Sequence, residues 1–369
     1  MLETMQPIGK LGFGLMRLPR RGVNIDVDQT AQMVDLFLNA GFTYFDTARV
    51  YPGSETATRK ALVKRHPRDS YTIATKLNTM ISPTASMARR QIRTSMGKLG
   101  VDYLDYYLLH NLTNGTQGSY ERLGLWDFAR DLKAQGVIRQ FGFSFHAGPQ
   151  LLDELLTQNP DVDFVQLQIN YADWENERIT SRANYEVARA HDKPIVVMEP
   201  VKGGKLANPA PEVRALMDEA APHASYASWA IRFAAGLDGI LTVLSGMSDV
   251  AQVTDNISFM RDFKPLDETE MSVIRRAREI LGSANDIPCT ACGYCLEGCP
   301  RHIVIPSVFA AMNKKLVGGQ INEARADYRE AVRRGNFASA CIGCGKCEAV
   351  CPQNIQIVEQ LRTCVDALE

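Results

Sequence analysis

Leu11-Gly12-Phe13-Gly14-Leu15-Met16-Arg17 is the stretch on which the fold turns. It reads as a short apolar strand running into a turn, the place where a doubly wound dinucleotide-binding sheet carries G-x-G-x-x-G. Gly12 and Gly14 are present, but Arg17 stands at the third glycine position. The phosphate-cradling turn is therefore missing and a doubly wound sheet is the weaker choice. Outward from here, apolar strands alternate with amphipathic helical segments, the rhythm of repeated βα units. The expected strands are Leu11–Leu15, Thr43–Asp46, Tyr71–Thr75, Tyr106–Leu109, Gln140–Ser144, Phe164–Gln168, Ile195–Met198 and Ile240–Leu244. Between the first two, Ala31–Ala40 sets Met33, Leu36, Phe37 and Ala40 on one helical stripe. Eight such units predict an α/β fold, a (β/α)8 TIM barrel over residues 1–283, closed by a helix at Asp267–Gly282.

The C-terminal residues, 284–369, follow another pattern. Cys289, Cys292, Cys295 and Cys299-Pro300 repeat the spacing of Cys341, Cys344, Cys347 and Cys351-Pro352. Each run is C-x2-C-x2-C-x3-C-P, similar to the run that wraps a 4Fe–4S cluster in bacterial-type ferredoxins. In such a run three thiolates grip one cubane and the fourth ligates the partner cluster. The expected sets are thus crossed: Cys289, Cys292, Cys295 and Cys351 for the first cluster, and Cys341, Cys344, Cys347 and Cys299 for the second. Structural zinc would favour separated pairs in a tetrahedral array. Cys364 stands apart, an expected half-buried thiol in a terminal helix. Ile305–Val332 reads as helical, broken at Gly318-Gly319. This small, mainly helical dicluster domain resembles the α-helical ferredoxin modules of respiratory iron–sulfur subunits more than a compact βαββαβ ferredoxin.

Charge and ends bound the partners. Lys plus Arg number 41 against 42 for Asp plus Glu, so no basic field invites nucleic acid or an anionic membrane surface. Met1-Leu-Glu-Thr-Met-Gln lacks the features of a signal peptide, and no apolar run approaches the length of a membrane span. Reduced, cluster-ready thiols point to the cytoplasm, with an oxygen-poor habitat favoured.

In a (β/α)8 barrel the chemistry sits where strands end. Strand two ends at Asp46, and the loop after it brings Tyr51 before Pro52-Gly53. Strand three ends at Lys76 and strand four at His110. A carboxylate, a phenol, an ammonium and an imidazole so placed suit carbonyl reduction. A free phenol, with a pKa near ~10, gives up its proton sluggishly. Lys76, held charged by Asp46, is expected to lower the Tyr51 pKa by about two units, roughly 2.7 kcal/mol of differential interaction. His110 would aim the substrate oxygen at Tyr51.

Phe45-Asp46-Thr47-Ala48, Tyr51 with Gly53-Ser54-Glu55, Thr75-Lys76 and Leu109-His110 resemble the Asp/Tyr/Lys/His tetrad of the aldo-keto reductases. With the cysteine runs, the whole chain resembles the subgroup carrying a fused 4Fe–4S dicluster domain. That resemblance implies an NAD(P)H-dependent oxidoreductase acting on a small carbonyl or alcohol, the nicotinamide cofactor lying extended across the rim. By matched position, Ser144 and Gln166 would hold the carboxamide. Gly246, Met247, Ser248, Gln252 and Asn256 would hold the adenosine end, which agrees with the general placing of phosphate after strands seven and eight. Gly203-Gly204 would allow close backbone approach, with Lys202 or Lys205 at the pyrophosphate. The chain departs from the family where Ser144 is followed by Phe145 instead of Asn, with His146 next. It departs again at Gln252, beside Asp249, where NADPH-specific members place Arg. NADPH or NADH therefore both stay open.

Nicotinamide moves a hydride and a 4Fe–4S centre moves single electrons, so their meeting leaves three alternatives. The clusters are structural or feed an external partner. Alternatively, ferredoxin or another electron-transfer partner drives substrate reduction through them. Or the chain is a non-enzymatic redox-sensing or interaction module. Tyr171 and Trp174, after strand six, are expected as substrate-pocket walls.

Overall fold

The computed structural model describes residues 8–283 and 285–369, so the expected domain junction at 283/284 and the Met1–Gln6 leader reading touch residues outside it. Eight parallel strands close a barrel in the order β1-β8-β7-β6-β5-β4-β3-β2. They are β1 Leu11–Gly14, β2 Tyr44–Asp46, β3 Thr72–Leu77, β4 Leu104–Leu112, β5 Ile138–Phe145, β6 Phe164–Gln168, β7 Ile195–Met198 and β8 Ile240–Ser245. The doubly wound alternative is thereby excluded. Two strands match the sequence expectation residue for residue; β4 is the most extended beyond it.

Alternation along the strands builds two apolar layers. Tyr44, Ala74, Tyr106, Leu108, Phe164 and Leu244 fill the barrel interior. Phe13, Phe45 and Phe37 pack between strands and outer helix, with ring centroids 5.3 to 5.9 Å apart. The same period lifts particular side chains to the C-terminal rim: Asp46 lies two residues past Tyr44, Lys76 two past Ala74, His110 two past Leu108. Gly12 serves the interior rather than any phosphate, since a Cβ there would lie 2.8 Å from Leu244. Helix Val27–Asn39 is capped by Asp26 and buries Thr30, Met33, Val34 and Phe37. Leu36, expected on the buried stripe, is 38 % exposed. The stripe is rotated by about one residue towards Val34.

Helix Glu268–Gly282, with Asp267 and Glu270 in a reciprocal cap, leads to the second unit. Helices Ile305–Gly318 and Ile321–Val332 are separated at Gly319, φ 66°, and pack with Ile357–Leu368. Their core is Val308, Phe309, Met312, Tyr328 and Leu361, and it takes in Cys364, which is fully buried rather than half-buried. Among the described residues no helix is long and apolar enough to cross a membrane.

The helical unit sits on the C-terminal rim of the barrel. Arg17 Nη2 donates to the Thr290 carbonyl at 2.7 Å and Thr113 Oγ1 to the Ala349 carbonyl at 2.9 Å. Asn354 Nδ2 donates to the Arg178 carbonyl at 3.0 Å. The glycine at 203, φ 65°, admits this docking: a Cβ there would lie 2.9 Å from the Thr290 carbonyl oxygen.

Candidate active site and iron–sulfur centres

β2, β3 and β4 are neighbours in the barrel, so their rim residues meet. Lys76 and Asp46 form a buried ion pair, and Lys76 Nζ also donates to the Thr47 carbonyl at 2.8 Å. Gln166 Nε2 donates to the other Asp46 oxygen at 3.2 Å. Tyr51 is set by its loop: Ser54 Oγ donates to the Leu15 carbonyl and Thr75 Oγ1 to Glu55, both at 2.9 Å. The Tyr51 ring stands edge-on to His110, centroids 5.9 Å apart, with Lys76 Nζ 5.3 Å from its centre. β4 pairs irregularly with β5 between Leu109 and Leu112, and Asn111 takes φ 61°. That break in register falls just past His110, a common place for a bulge beside a site.

Burial dominates the protonation states. It pushes the His110 imidazole well below its ordinary value, with the Lys76 charge adding to the effect, so the ring is neutral at pH 7. It pushes the Asp46 carboxyl up and the Lys76 ammonium down, and each partner's charge opposes the shift in the other. The Tyr51 phenol is pushed above its usual value by burial and by the Asp46 charge; a hydrogen bond from Tyr294 pulls it back. The sequence expectation that Lys76 lowers this phenol is not met. Lys76 spends its donors on Asp46 and Thr47.

Tyr294 was invisible in the sequence reading. It lies between Cys292 and Cys295, and its hydroxyl is hydrogen-bonded to His110 Nε2 at 3.0 Å. No spacing rule relates residues 184 apart; a lone aromatic between two ligand cysteines was the one available signal.

A cavity of about 1010 Å3 opens from this cluster. Asp46, Tyr51, His110, Cys292 and Tyr294 form one end, and Ser248, Gln252 and Asn256 the other. Gln166, Gly203, Gly204, Gly246 and Met247 also line it. Ser144 does not; its Oγ accepts the Asn111 N–H at 2.8 Å. Asn256 Nδ2 donates to Ser245 Oγ at 2.6 Å, and Gln252 Oε1 accepts the Ser248 N–H at 2.9 Å. Lys202 and Lys205, expected at the pyrophosphate, are not among the residues lining the cavity, and each is paired with an acid, Asp173 and Asp286. Nor do Tyr171 and Trp174 wall the cavity; both pack edge-on against Phe233.

A nicotinamide dinucleotide fits this cavity in size; His146 and Glu199 line it, and one buried atom of each, Nδ1 and Oε2, has no protein partner. Burial lowers the His146 pKa to about 4 and raises that of Glu199. The thiols surround two smaller cavities. Cys289, Cys292, Cys295 and Cys351 line one, while Cys299, Cys341, Cys344 and Cys347 line the other. Among the described residues no three such side chains converge on a single metal ion. Four thiols spread round a void suit a cubane better than zinc.

A parallel barrel with an acid–base rim, roofed by eight cysteines in two groups, defines a redox enzyme class. The chain belongs to the aldo/keto reductase family, whose model matches residues 10–279, and a 4Fe-4S dicluster domain matches 288–356. An aldo-keto reductase of Mycolicibacterium vanbaalenii is 37 % identical over 130 residues, 35 % of this chain and 44 % of that one. Methylglyoxal reductase DkgA of Yersinia pestis is 31 % identical over 157 residues, 41 % of this chain and 54 % of that one. The chain thus spans about half the length of these relatives. Among solved structures, a holo-form aldo-keto reductase of Bacillus halodurans superposes with TM-score 0.59 at 24 % identity, covering 73 % of this chain and 92 % of that one. One from Klebsiella pneumoniae, in complex with NADP and acetate, gives TM-score 0.58 at 19 % identity, covering 73 % and 91 %. These likenesses show the fold.

Proposed function

We propose that this oxidoreductase reduces a small carbonyl, or reversibly oxidises the alcohol, with a nicotinamide cofactor and the Asp46/Tyr51/Lys76/His110 tetrad. The observation that carries this reading is the convergence of Asp46, Tyr51 and His110 on one cavity that continues to the helix after β8, with Lys76 paired to Asp46 behind them. A bound nicotinamide supplies the hydride. Tyr51 holds, at its hydroxyl, the proton that the nascent alkoxide needs. Lys76 and Asp46 keep a fixed charge pair beneath it, and neutral His110 keeps a donor or acceptor at Nε2. The helical unit covers the rim and excludes water. Gln166, rather than Ser144, is the better placed of the two residues expected at the carboxamide.

The far end of the cavity argues for NADH. Asp249 caps helix Val250–Met260 by accepting the Gln252 N–H at 2.8 Å. A helix N-terminus is ordinarily an anion site; here a carboxylate already fills it. Asp218 and Asp255 add further acid, and among the described residues Arg17 is the one arginine or lysine on the wall. Placing a 2′-phosphate near such acids costs about 1–2 kcal/mol through water-screened repulsion. In carbonyl-dependent, anaerobic oxidation assays NADH should outperform NADPH by ~10-fold in kcat/KM, and Gln252→Arg should narrow the gap. Equal use of both cofactors would remove Asp249 from this role.

The thiol sets described above are proposed to hold two 4Fe–4S clusters, which exchange single electrons when bound. A second reading has a specific support: Cys292 shares a cavity wall with Tyr51 and His110. Electrons from a ferredoxin-like partner would then reach the substrate through the first cluster. Reduced thiols for cluster assembly make a cytoplasmic setting the natural one.

A further inference from the structure

Asn78 follows β3 directly and caps the short helix Thr79–Ile81, its Oδ1 accepting the Met80 N–H at 2.8 Å. That bond settles which way the amide faces. With its oxygen spent on the backbone, the Nδ2 end is turned to the neighbouring strand. There it lies 3.5 Å from His110 Nδ1, its hydrogen-bond partner among the described residues. At that length the contact counts for its direction more than its strength. An amide nitrogen only donates, so Nδ1 must present a lone pair. A proton on Nδ1 would set one N–H against another. Burial and the Lys76 charge keep the ring from taking a second proton, so its single proton belongs on Nε2.

Buried groups hold the amide in this place. Gln91, on helix Ala85–Leu99, grips the Asn78 backbone twice: Oε1 accepts its N–H at 3.1 Å and Nε2 donates to its carbonyl at 2.7 Å. The same Nε2 donates to Ser82 Oγ at 2.8 Å. Tyr120, on helix Gln117–Arg122, shares its hydroxyl proton between the Leu77 and His110 carbonyls and accepts the Thr79 N–H at 3.4 Å. It so ties the end of β3 to the end of β4. Asn78, Ser82, Gln91 and Tyr120 are all buried. A helix cap alone does not call for an amide here, since Asp caps as well as Asn. Only the amide has an N–H to turn towards His110.

We propose that Asn78 is a positioning residue that fixes His110 as the Nε2–H tautomer, so that the ring offers the substrate oxygen a donor and not an acceptor. The inference rests on the tetrad reading and decides between the two roles left to Nε2 there. Tyr294 Oη, 3.0 Å from Nε2, is an oxygen able to accept that N–H. In carbonyl reduction the oxygen gains negative charge as hydride arrives, and a donor already aimed at it is worth most at that moment. The opposite tautomer would point a lone pair at the same oxygen and repel it.

Nitrogen-15 NMR of the histidine side chains tests this in the iron–sulfur-replete full chain with its clusters oxidised. The chain has six histidines, and His110 is assigned by its loss in His110→Gln. The parent should show a bound proton on Nε2 and none on Nδ1. Asn78→Asp, of the same shape, turns an acceptor to Nδ1 and should draw the proton there. Its kcat should fall ~100-fold, the usual loss with one oxyanion donor, while NADH binds as tightly as in the parent. Asn78→Ala, which turns neither donor nor acceptor to the ring, should lose ~10-fold or less. A parent carrying its proton on Nδ1, or on both nitrogens, would overturn the proposal. So would an Nε2 proton undisturbed in Asn78→Asp, or parental kcat in a variant whose proton has moved. The spectrum needs no turnover, whereas turnover undiminished in Tyr51→Phe would bring down the tetrad reading alone.

Discussion

Tyr51→Phe should lower kcat/KM for carbonyl reduction by ~10²–10⁴, the usual worth of a positioned general acid, while binding NADH as tightly as the parent. The variant removes one oxygen and keeps the ring that stands edge-on to His110. Nothing in the barrel fold depends on that oxygen, so melting should be unaltered. Desolvation and the Asp46 charge hold the Tyr51 phenol above its ordinary pKa, so it carries its proton throughout the physiological range. Tight NADH binding with slow turnover is the signature of a group that acts in the transition state. Reduction at the parental rate would take Tyr51 out of the reaction.

The second large effect concerns iron. Cys295, Cys347 and Cys351 are buried within the core of the helical unit, and their groups surround two voids. Without iron, burial raises the pKa of Cys295 and Cys347, leaving neutral thiols round empty space. The helices Tyr294–Glu297 and Lys346–Ala349 have four residues each, far too few to persist unaided. Metal binding of this kind is folding free energy, on the order of 10 kcal/mol for small metal-organised domains. Anaerobic chelation, or Cys295→Ala, should therefore open residues 285–369 to protease while the barrel, with its separate core, stays resistant. Protein prepared without air should contain ~8 iron and ~8 sulfide per chain. Equal protease resistance with and without iron would mean that helix packing alone holds the unit.

Most of the barrel was legible because each strand is short, apolar and bounded by turn residues. Phe164–Gln168 and Ile195–Met198 came out residue for residue. The strand expected at Tyr71–Thr75, with Lys76 at its end, runs on to Leu77, and Lys76 lies buried in it beside Asp46. The two thiol groups were legible for another reason: a cubane dictates its own spacing. What could not be read were pairings between distant segments. Lys202 and Lys205 looked like free cations, since nothing local reveals Asp173 or Asp286. Tyr171 and Trp174 looked like pocket walls, since their partner Phe233 comes from a helix some sixty residues on. Tyr294 is the extreme case, a residue of one unit completing the site of the other.

That shared wall makes the source of the electrons the central question, and isotopic transfer answers it most directly. NADH carrying deuterium at the reactive C4 position should be incubated anaerobically with the iron–sulfur-replete protein and an aldehyde, and the alcohol analysed by mass spectrometry and NMR. Hydride transfer over the tetrad requires deuterium on the carbinol carbon, with the iron–sulfur absorbance unchanged during turnover. An alcohol free of deuterium, formed while the clusters bleach and recover, would show that electrons arrive through the cysteine loops instead and would contradict the reading of the rim as a hydride-transfer site.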